Sequence, residues 1–236
     1  MAGIKLKDIQ KAYTVENRKI YVLNGINLQI PERKITVILG RSGCGKTTLL
    51  RLVGGLEMVD AGEIEYEADY KSAFVFQEAR LMPWLTVWDN VKFGLKRQEC
   101  DNSFIQSIIS TVGLNGFEKA YPYQLSGGMQ QRVAIARALA YKPSFIMMDE
   151  PFAALDYFTR DQMQKELIHL QQDHGVSILF VTHSIDEALL LGHKIVVIEA
   201  GRIQSEFIVE KDNKKRNLLE TEFIELKKSI IEQLNL

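Results

Sequence analysis

The feature that most limits how this chain can fold is a short apolar run, Ile35-Thr-Val-Ile-Leu39, passing without a break into Gly40-Arg-Ser-Gly-Cys-Gly-Lys-Thr47. Near-continuous hydrophobicity over five residues is what a strand buried on both faces of a parallel sheet requires. The segment after it has the spacing of a phosphate-binding loop: glycine, four residues, then Gly-Lys-Thr. Glycines let the backbone of Gly40, Arg41, Ser42, Gly43, Cys44 and Gly45 curl until successive N–H groups face one anion. A helix through Thr48 and the apolar residues after it, closed by Gly54-Gly55, adds the positive end of its dipole at the same point. Lys46 then supplies a point charge to the β- and γ-phosphates of a nucleotide. Thr47 supplies a hydroxyl to Mg2+, and Thr48 a further phosphate donor. Cys44 reads as a small filler inside the loop, where alkylation would block nucleotide binding.

The rest of the pattern surrounds this unit with an α/β fold. Residues 4–9 and 21–30 alternate apolar and polar, giving an antiparallel strand layer at the start. Asp60-Ala-Gly62 reads as a turn, with strands at 64–67 and 73–76. The pattern then turns helical. Thr86-Val-Trp-Asp89 has capping-box spacing ahead of a helix to Lys96; further helices span 104–112, stopped at Gly113, and 127–140. Strand and helix alternate from there: strands at 145–148, 177–181 and 194–198, and helices at 157–174 and 184–191, the latter with Ser184 and Glu187 as a capping box. Gly201 reads as a hairpin turn into a strand at 203–209. The fold class expected is α/β, with a core that, on the motif at 40–47, resembles that of P-loop NTPases (RecA-like). It has a mostly parallel sheet, an N-terminal antiparallel β layer and an inserted α-helical subdomain at about residues 77–137. One domain spans 1–210. Lys211-Asp-Asn-Lys-Lys-Arg216 reads as a polar linker, and 217–236 as an amphipathic helix that packs on this core or on a partner.

Two further motifs carry chemistry. Phe145-Ile-Met-Met-Asp149-Glu150 is an apolar strand ending in acids, which delivers Asp149 to a metal ion and Glu150 to a water facing the γ-phosphate. Leu125-Ser-Gly-Gly-Met-Gln-Gln-Arg132 opens a helix, so Ser126 and the amides of Gly127 and Gly128 form a second anion site. A P-loop kinase or GTPase leaves that second site unexplained.

Together these residues resemble the ATP-binding subunits of ABC transporters, whose signature motif the 125–132 segment matches at its key positions. The resemblance spans about residues 4–210. It implies ATP and Mg2+ as ligands and a second copy of the chain, or a paralogous ATPase, bound head to tail. In that pair Ser126, Gly127 and Gly128 touch the ATP held by the other subunit. It implies that Gln77, after the strand at 73–76, is the Q-loop glutamine, reaching Mg2+ or the attacking water. Asp156 in Ala154-Leu-Asp156 corresponds to the D-loop that crosses the dimer interface, and His183 to the H-loop contact with the γ-phosphate. Tyr13 corresponds to the aromatic that stacks on adenine, with Tyr21 or a plain core role as the alternative. Catalysis falls to Glu150, His183, Gln77 and Lys46, and the metal to Thr47, Gln77 and Asp149.

A finer resemblance lies in the segment from Val75 to Val91, above all Pro83-Trp-Leu85, and in Asp149-Glu-Pro-Phe-Ala-Ala-Leu-Asp156. Both are similar to the ATPases of nitrate, sulfonate and taurine importers, a pattern shared by importers of thiamine precursors and other small metabolites. It implies integral membrane permease subunits docking between Gln77 and Trp88, with Trp84 as an anchor and Trp88 more at home in the core. It also implies an extracytoplasmic solute-binding protein as an indirect partner.

Composition excludes the competing classes. A net charge of −1, from 29 basic and 30 acidic residues, offers no basic face for nucleic acid and argues against a soluble ABC ATPase acting on it. Cys44 and Cys100 show neither disulfide nor metal-ligand spacing. No signal-peptide stretch and no run of 18 apolar residues occurs, so the expected location is the cytoplasmic face of the inner or plasma membrane, reached through partners.

Overall fold

Alternating apolar residues at the start fold into one long hairpin of β1 (Ala2–Val15) and β2 (Arg18–Pro31), longer than the two expected strands. The computed structural model describes residues 2–66, 71–96 and 101–234, so Cys100 and the end of the strand expected at 64–67 lie outside the described residues. β3 (Ile35–Leu39) and α1 (Lys46–Val53) carry the glycine loop between them. β4 (Ala61–Tyr66) joins β1, completing a three-stranded antiparallel sheet in the order β2-β1-β4.

Then come β5 (Ser72–Val75), α2 (Val87–Val91), α3 (Asn102–Thr111), α4 (Gly127–Ala140), β6 (Phe145–Asp149), α5 (Tyr157–His174), β7 (Ser177–Thr182), α6 (Ile185–Leu191), β8 (Lys194–Glu199), β9 (Arg202–Ile208) and α7 (Thr221–Gln233). The second sheet has the order β5-β6-β7-β3-β8-β9, parallel through β8, with β9 returning antiparallel. Every residue of β3, β6 and β7 is buried, as continuous apolar runs demand.

Side chains alternate across this sheet and feed two cores. Ile38, Met147, Leu179 and Val196 pack with α1 and the inner face of the antiparallel sheet; Val37, Met148, Phe180 and Val197 pack with α3 through α7. The strand order brings the carboxyl ends of β5, β6, β7 and β3 to one edge, where open parallel sheets hold their ligands.

Four expectations are corrected. Ala61 and Gly62 belong to β4, not to a turn. Gly62 has φ +89° and lies against a bulge in β1, where an added Cβ would stand 2.4 Å from the Asp8 carbonyl oxygen. The helix capped by Thr86 ends at Val91 rather than Lys96, since the chain reaches Gly94 at φ +95°, which no α-helix accommodates. Ser184 caps α6 by accepting the Glu187 N–H, but the Glu187 carboxyl does not return the bond; the Ser184 N–H goes to Thr182 Oγ1 instead. The segment 211–216 is docked, not a free linker. Arg216, 8% exposed, donates to the carbonyls of Leu189, Leu190 and Gly192 at the end of α6 and to those of Lys211 and Val209. Burial among these carbonyls lowers its guanidinium to about 10. Beyond it, Phe223 and Ile230 of α7 and Leu234 lie in the helix-side core.

Candidate nucleotide site

The loop between β3 and α1 is shaped by space as much as by torsion. Gly43 and Gly45 take φ of +80° and +104°, which glycine adopts without strain. An added Cβ at Gly45 would stand 2.7 Å from the Val22 carbonyl oxygen, and one at Gly40 would stand 2.3 Å from that of Ile198. Gly45 caps α1 with no side-chain bond, so the first amides of the helix keep no side-chain acceptor. Lys46 is 5% exposed, and its Nζ donates to the carbonyls of Gly40 at 2.9 Å and Arg41 at 2.8 Å. The charge is thereby fixed within the loop before any ligand arrives.

A cavity of about 660 Å³ opens over this loop, lined by Val22, Arg41, Ser42, Gly43, Gly45, Lys46, Thr47, Thr48, Gln77, Glu150 and His183. It therefore unites the expected residues of the loop with those expected at the ends of β5, β6 and β7. Gly40 and Cys44 do not line it. Cys44 is buried in the core beneath the antiparallel sheet, and burial pushes its thiol up, so it is a packing residue rather than a reactive thiolate. Val22 joins the wall without any signal in the sequence, since an apolar residue in a strand carries no mark of a ligand contact.

Behind the loop, Thr47 Oγ1 donates to Asp149 Oδ1 at 3.1 Å. Burial pushes the Asp149 carboxyl up, and the Thr47 bond opposes it. The two are hard oxygen donors, and an under-neutralised buried carboxyl beside a hydroxyl suits a hard divalent cation. Glu150 takes φ +43°, a left-handed conformation rare outside glycine, with its N–H on the Val181 carbonyl at 3.0 Å. Its Oε2 lies 2.9 Å from His183 Nδ1. The ends of β6 and β7 thus place a carboxyl and an imidazole together on the cavity wall. Gln77 completes that wall from a loop held by α4: Gln131 donates to the Phe76 carbonyl at 2.9 Å, and Arg137 to those of Ala79 and Arg80 at 3.0 Å each.

Tyr13 lies outside the cavity lining. Its hydroxyl bonds the Glu57 carboxyl and meets the Thr48 hydroxyl, which sets it beside the start of α1. Tyr21 is 53% exposed under the Lys19 ammonium.

The helix start expected to hold a second anion stands apart. Ser126 caps α4 by accepting the Met129 N–H at 3.3 Å, and both Ser126 and Gly127 are exposed. An added Cβ at Gly127 meets nothing within 4 Å, while one at Gly128 would press on Leu155 at 3.1 Å. Asp156 caps α5 through the Thr159 N–H at 3.0 Å, and that bonding holds its carboxyl below the usual range. None of these four residues lines the cavity.

Residues 23–153, which hold the loop, the end of β5, the exposed start of α4 and the end of β6, match the sequence profile of the ABC transporter family. The chain belongs to that family. It is similar to the aliphatic sulfonates import ATP-binding protein SsuB of Bacillus thuringiensis subsp. konkukian, 37% identical over 238 residues that cover 98% of this chain and 95% of that one. It is also similar to the spermidine/putrescine import ATP-binding protein PotA of Lawsonia intracellularis, 42% identical over 85% of this chain but 57% of that protein. Among solved structures it is similar to a dimeric ATP-binding cassette in a post-hydrolysis state bound to ADP and Pi. The TM-score is 0.81 and the identity 33%, covering 88% of this chain and 99% of that one.

As an ABC ATPase, the chain binds ATP and hydrolyses it in support of transport. Its architecture is that of the cassettes: an α/β core with a mostly parallel sheet and an antiparallel sheet laid on it. No helix among the described residues is long and apolar enough to cross a membrane.

Proposed function

We propose that this ABC ATPase powers an importer of small solutes and works as one of two copies that each finish the other's site. The observation that carries the pairing is the separation of the two anion sites. The loop at Lys46 is walled by Gln77, Glu150 and His183 of its own chain, whereas Ser126 and Gly127 present a capped helix start to solvent. A second copy turned head to tail brings the second anion site over the γ-phosphate in the first.

In this reading the ATP phosphates enter the curl of amides from Gly43 to Thr48, with Lys46 between the β- and γ-phosphates. Thr47, Asp149 and Gln77 would hold Mg2+, which supplies charge neutralisation for the phosphates. Glu150 orients the attacking water and draws on its proton. His183, 2.9 Å from Glu150, stabilises charge on the γ-phosphate oxygens. Asp156, at the start of α5, stands where the facing copy crosses. Tyr13 is the adenine platform. Replacing Glu150 with Gln should lower turnover by ~10²-fold or more, as expected for loss of a general base. ATP stays bound and a dimer accumulates in gel filtration. Undiminished turnover in that variant would overturn the reading.

The membrane partner docks, in our reading, on the loop between β5 and α2. Trp84 is 70% exposed there, while Trp88 packs on the helix-side core. That partner holds the ATPase at the cytoplasmic face of the membrane and links it to an extracytoplasmic solute-binding protein. The Val75–Val91 segment and the sulfonate-importer relative favour a small organic or inorganic anion such as an aliphatic sulfonate, taurine or nitrate. Importers of thiamine precursors share the segment, and the polyamine-importer relative carries a cationic cargo. Uptake assays on the assembled complex with each solute class decide among them.

A further inference from the structure

Behind His183 lies a buried polar cluster that none of the motifs accounts for. Thr182, Gln164 and Glu187 are 2%, 7% and 9% exposed. The Thr182 hydroxyl donates to Glu187 Oε2 at 2.5 Å and accepts the Ser184 N–H at 3.0 Å. One hydroxyl therefore ties together the two residues flanking His183, and one carboxyl orients that hydroxyl. Glu187 Oε1 accepts from Gln164 Nε2 at 3.3 Å.

On its other side this carboxyl faces Arg160. The guanidinium bridges outward, its Nη2 donating at 2.9 Å to the carbonyl of Leu155, the residue before Asp156. Its Nε is buried, has no hydrogen-bond partner among the described residues, and stands 3.9 Å from Glu187 Oε1. A buried donor left unmade at that distance is costly, and a displacement of about 1 Å would close it to an ordinary charge-assisted bond. The cluster is thus complete toward His183 and slack toward the loop 153–156.

We infer that Glu187 is a positioning residue for hydrolysis. Through Thr182 it fixes the backbone on both sides of His183. Through Arg160 it makes that position respond to the loop that ends in Asp156. Its action requires His183 to serve the γ-phosphate, so it rests on the function proposed above. It does not line the cavity, so its loss acts on the chemical step rather than on binding.

The test uses the full chain, measuring ATP turnover and, separately, affinity for a non-hydrolysable ATP analogue. Glu187→Ala and Thr182→Val should each lower kcat by ~10-fold, the scale of losing a residue that supports a reacting group, with analogue affinity within ~2-fold. Thr182→Ser keeps the hydroxyl and should restore turnover, as Glu187→Gln should in part. In a His183→Ala background the same changes should cost less than ~2-fold more, since residues acting as a unit are not additive. Amide hydrogen exchange at Ser184 should quicken in Glu187→Ala. Wild-type turnover in both Glu187→Ala and Thr182→Val, or a full further loss in the His183→Ala background, overturns the inference. So does unchanged Ser184 exchange where that background is too slow to assay. If Glu187→Ala does not fold, Thr182→Val against Thr182→Ser decides. Full turnover in His183→Ala itself sinks the assignment of His183; a dead His183→Ala beside normal Glu187 variants sinks this inference alone.

Discussion

The starts of α1 and α4 use the same physical device to opposite ends. Each is a helix N-terminus whose first amides can take an anion. At α1 the device is enclosed: Lys46 is 5% exposed, Gly45 is wedged against β2, and three other strand ends wall the space above. At α4 it is bare: Ser126 is exposed, and Gly127 has open space where a side chain would be. An anion at α1 is held by groups the fold has already immobilised. An anion at α4 would be half-solvated until another surface covers it. In the function proposed above, specificity resides in the first, and dependence on a partner in the second.

The largest expected effect breaks that contrast directly. Gly127→Asp adds a side chain that meets no atom within 4 Å, so the fold should be kept. An acid in the first turn of α4 favours the helix but repels a phosphate. Turnover should fall by ~10²-fold while ATP binding to the single chain survives, if the lost contact resembles other charge-stabilising donors. Mixing this variant with Lys46→Ala should restore turnover, because one of the two composite sites in the hybrid pair then has both halves intact. No rescue on mixing would mean the sites are not shared.

A smaller effect is expected at the loop between β5 and α2, where docking is proposed. Trp84→Ala should weaken co-purification with the membrane subunit by ~30-fold in affinity, the scale of an aromatic hot spot, with turnover of the isolated chain unchanged. An equal effect from an exposed aromatic elsewhere, such as Tyr123, would show the contact to be unspecific.

Smaller again is the effect of Asp149→Asn on stability, which should rise by about 1 kcal/mol, because the change removes a buried carboxyl whose desolvation outweighs its bond from Thr47. The folded-state pKa of this acid is raised, so its cost grows as pH rises through that pKa and is absent at lower pH. A thermal scan against pH checks the sign.

The smallest effect comes from His193, far from both anion sites in role. It accepts the Ile35 N–H through Nδ1, and burial lowers it to about 4. The unfolded chain binds that proton first. Stability should therefore fall as pH drops from about 6.5 toward 4, and His193→Asn should flatten the slope. ATP should not alter this slope, whereas it should alter the one set by Asp149.

Much of the site was legible because its chemistry is local in sequence. The loop from Gly40 to Thr47 declares its own curl, and α4 and α5 begin and end where their caps and periodicity place them. What was hidden depends on partners far apart in the chain. Nothing near Arg137 says that it binds the carbonyls of Ala79 and Arg80, and nothing near Glu187 points to Thr182 as its partner rather than to the Ser184 amide that its spacing suggests. The same holds for Gly62, whose neighbours Asp60 and Ala61 spell a turn until the bulge at Asp8 is known. Local rules describe an element; they are silent about which distant carbonyl it will satisfy.

Arg216 carries a practical consequence. A protein shortened after β9, as though the remaining residues were a dispensable tail, would lose the cation that covers the open carbonyls of α6. Those carbonyls would then face water or each other, at the far end of the helix whose first residues come just after His183. Trimming for convenience there would alter the motor, not merely its length.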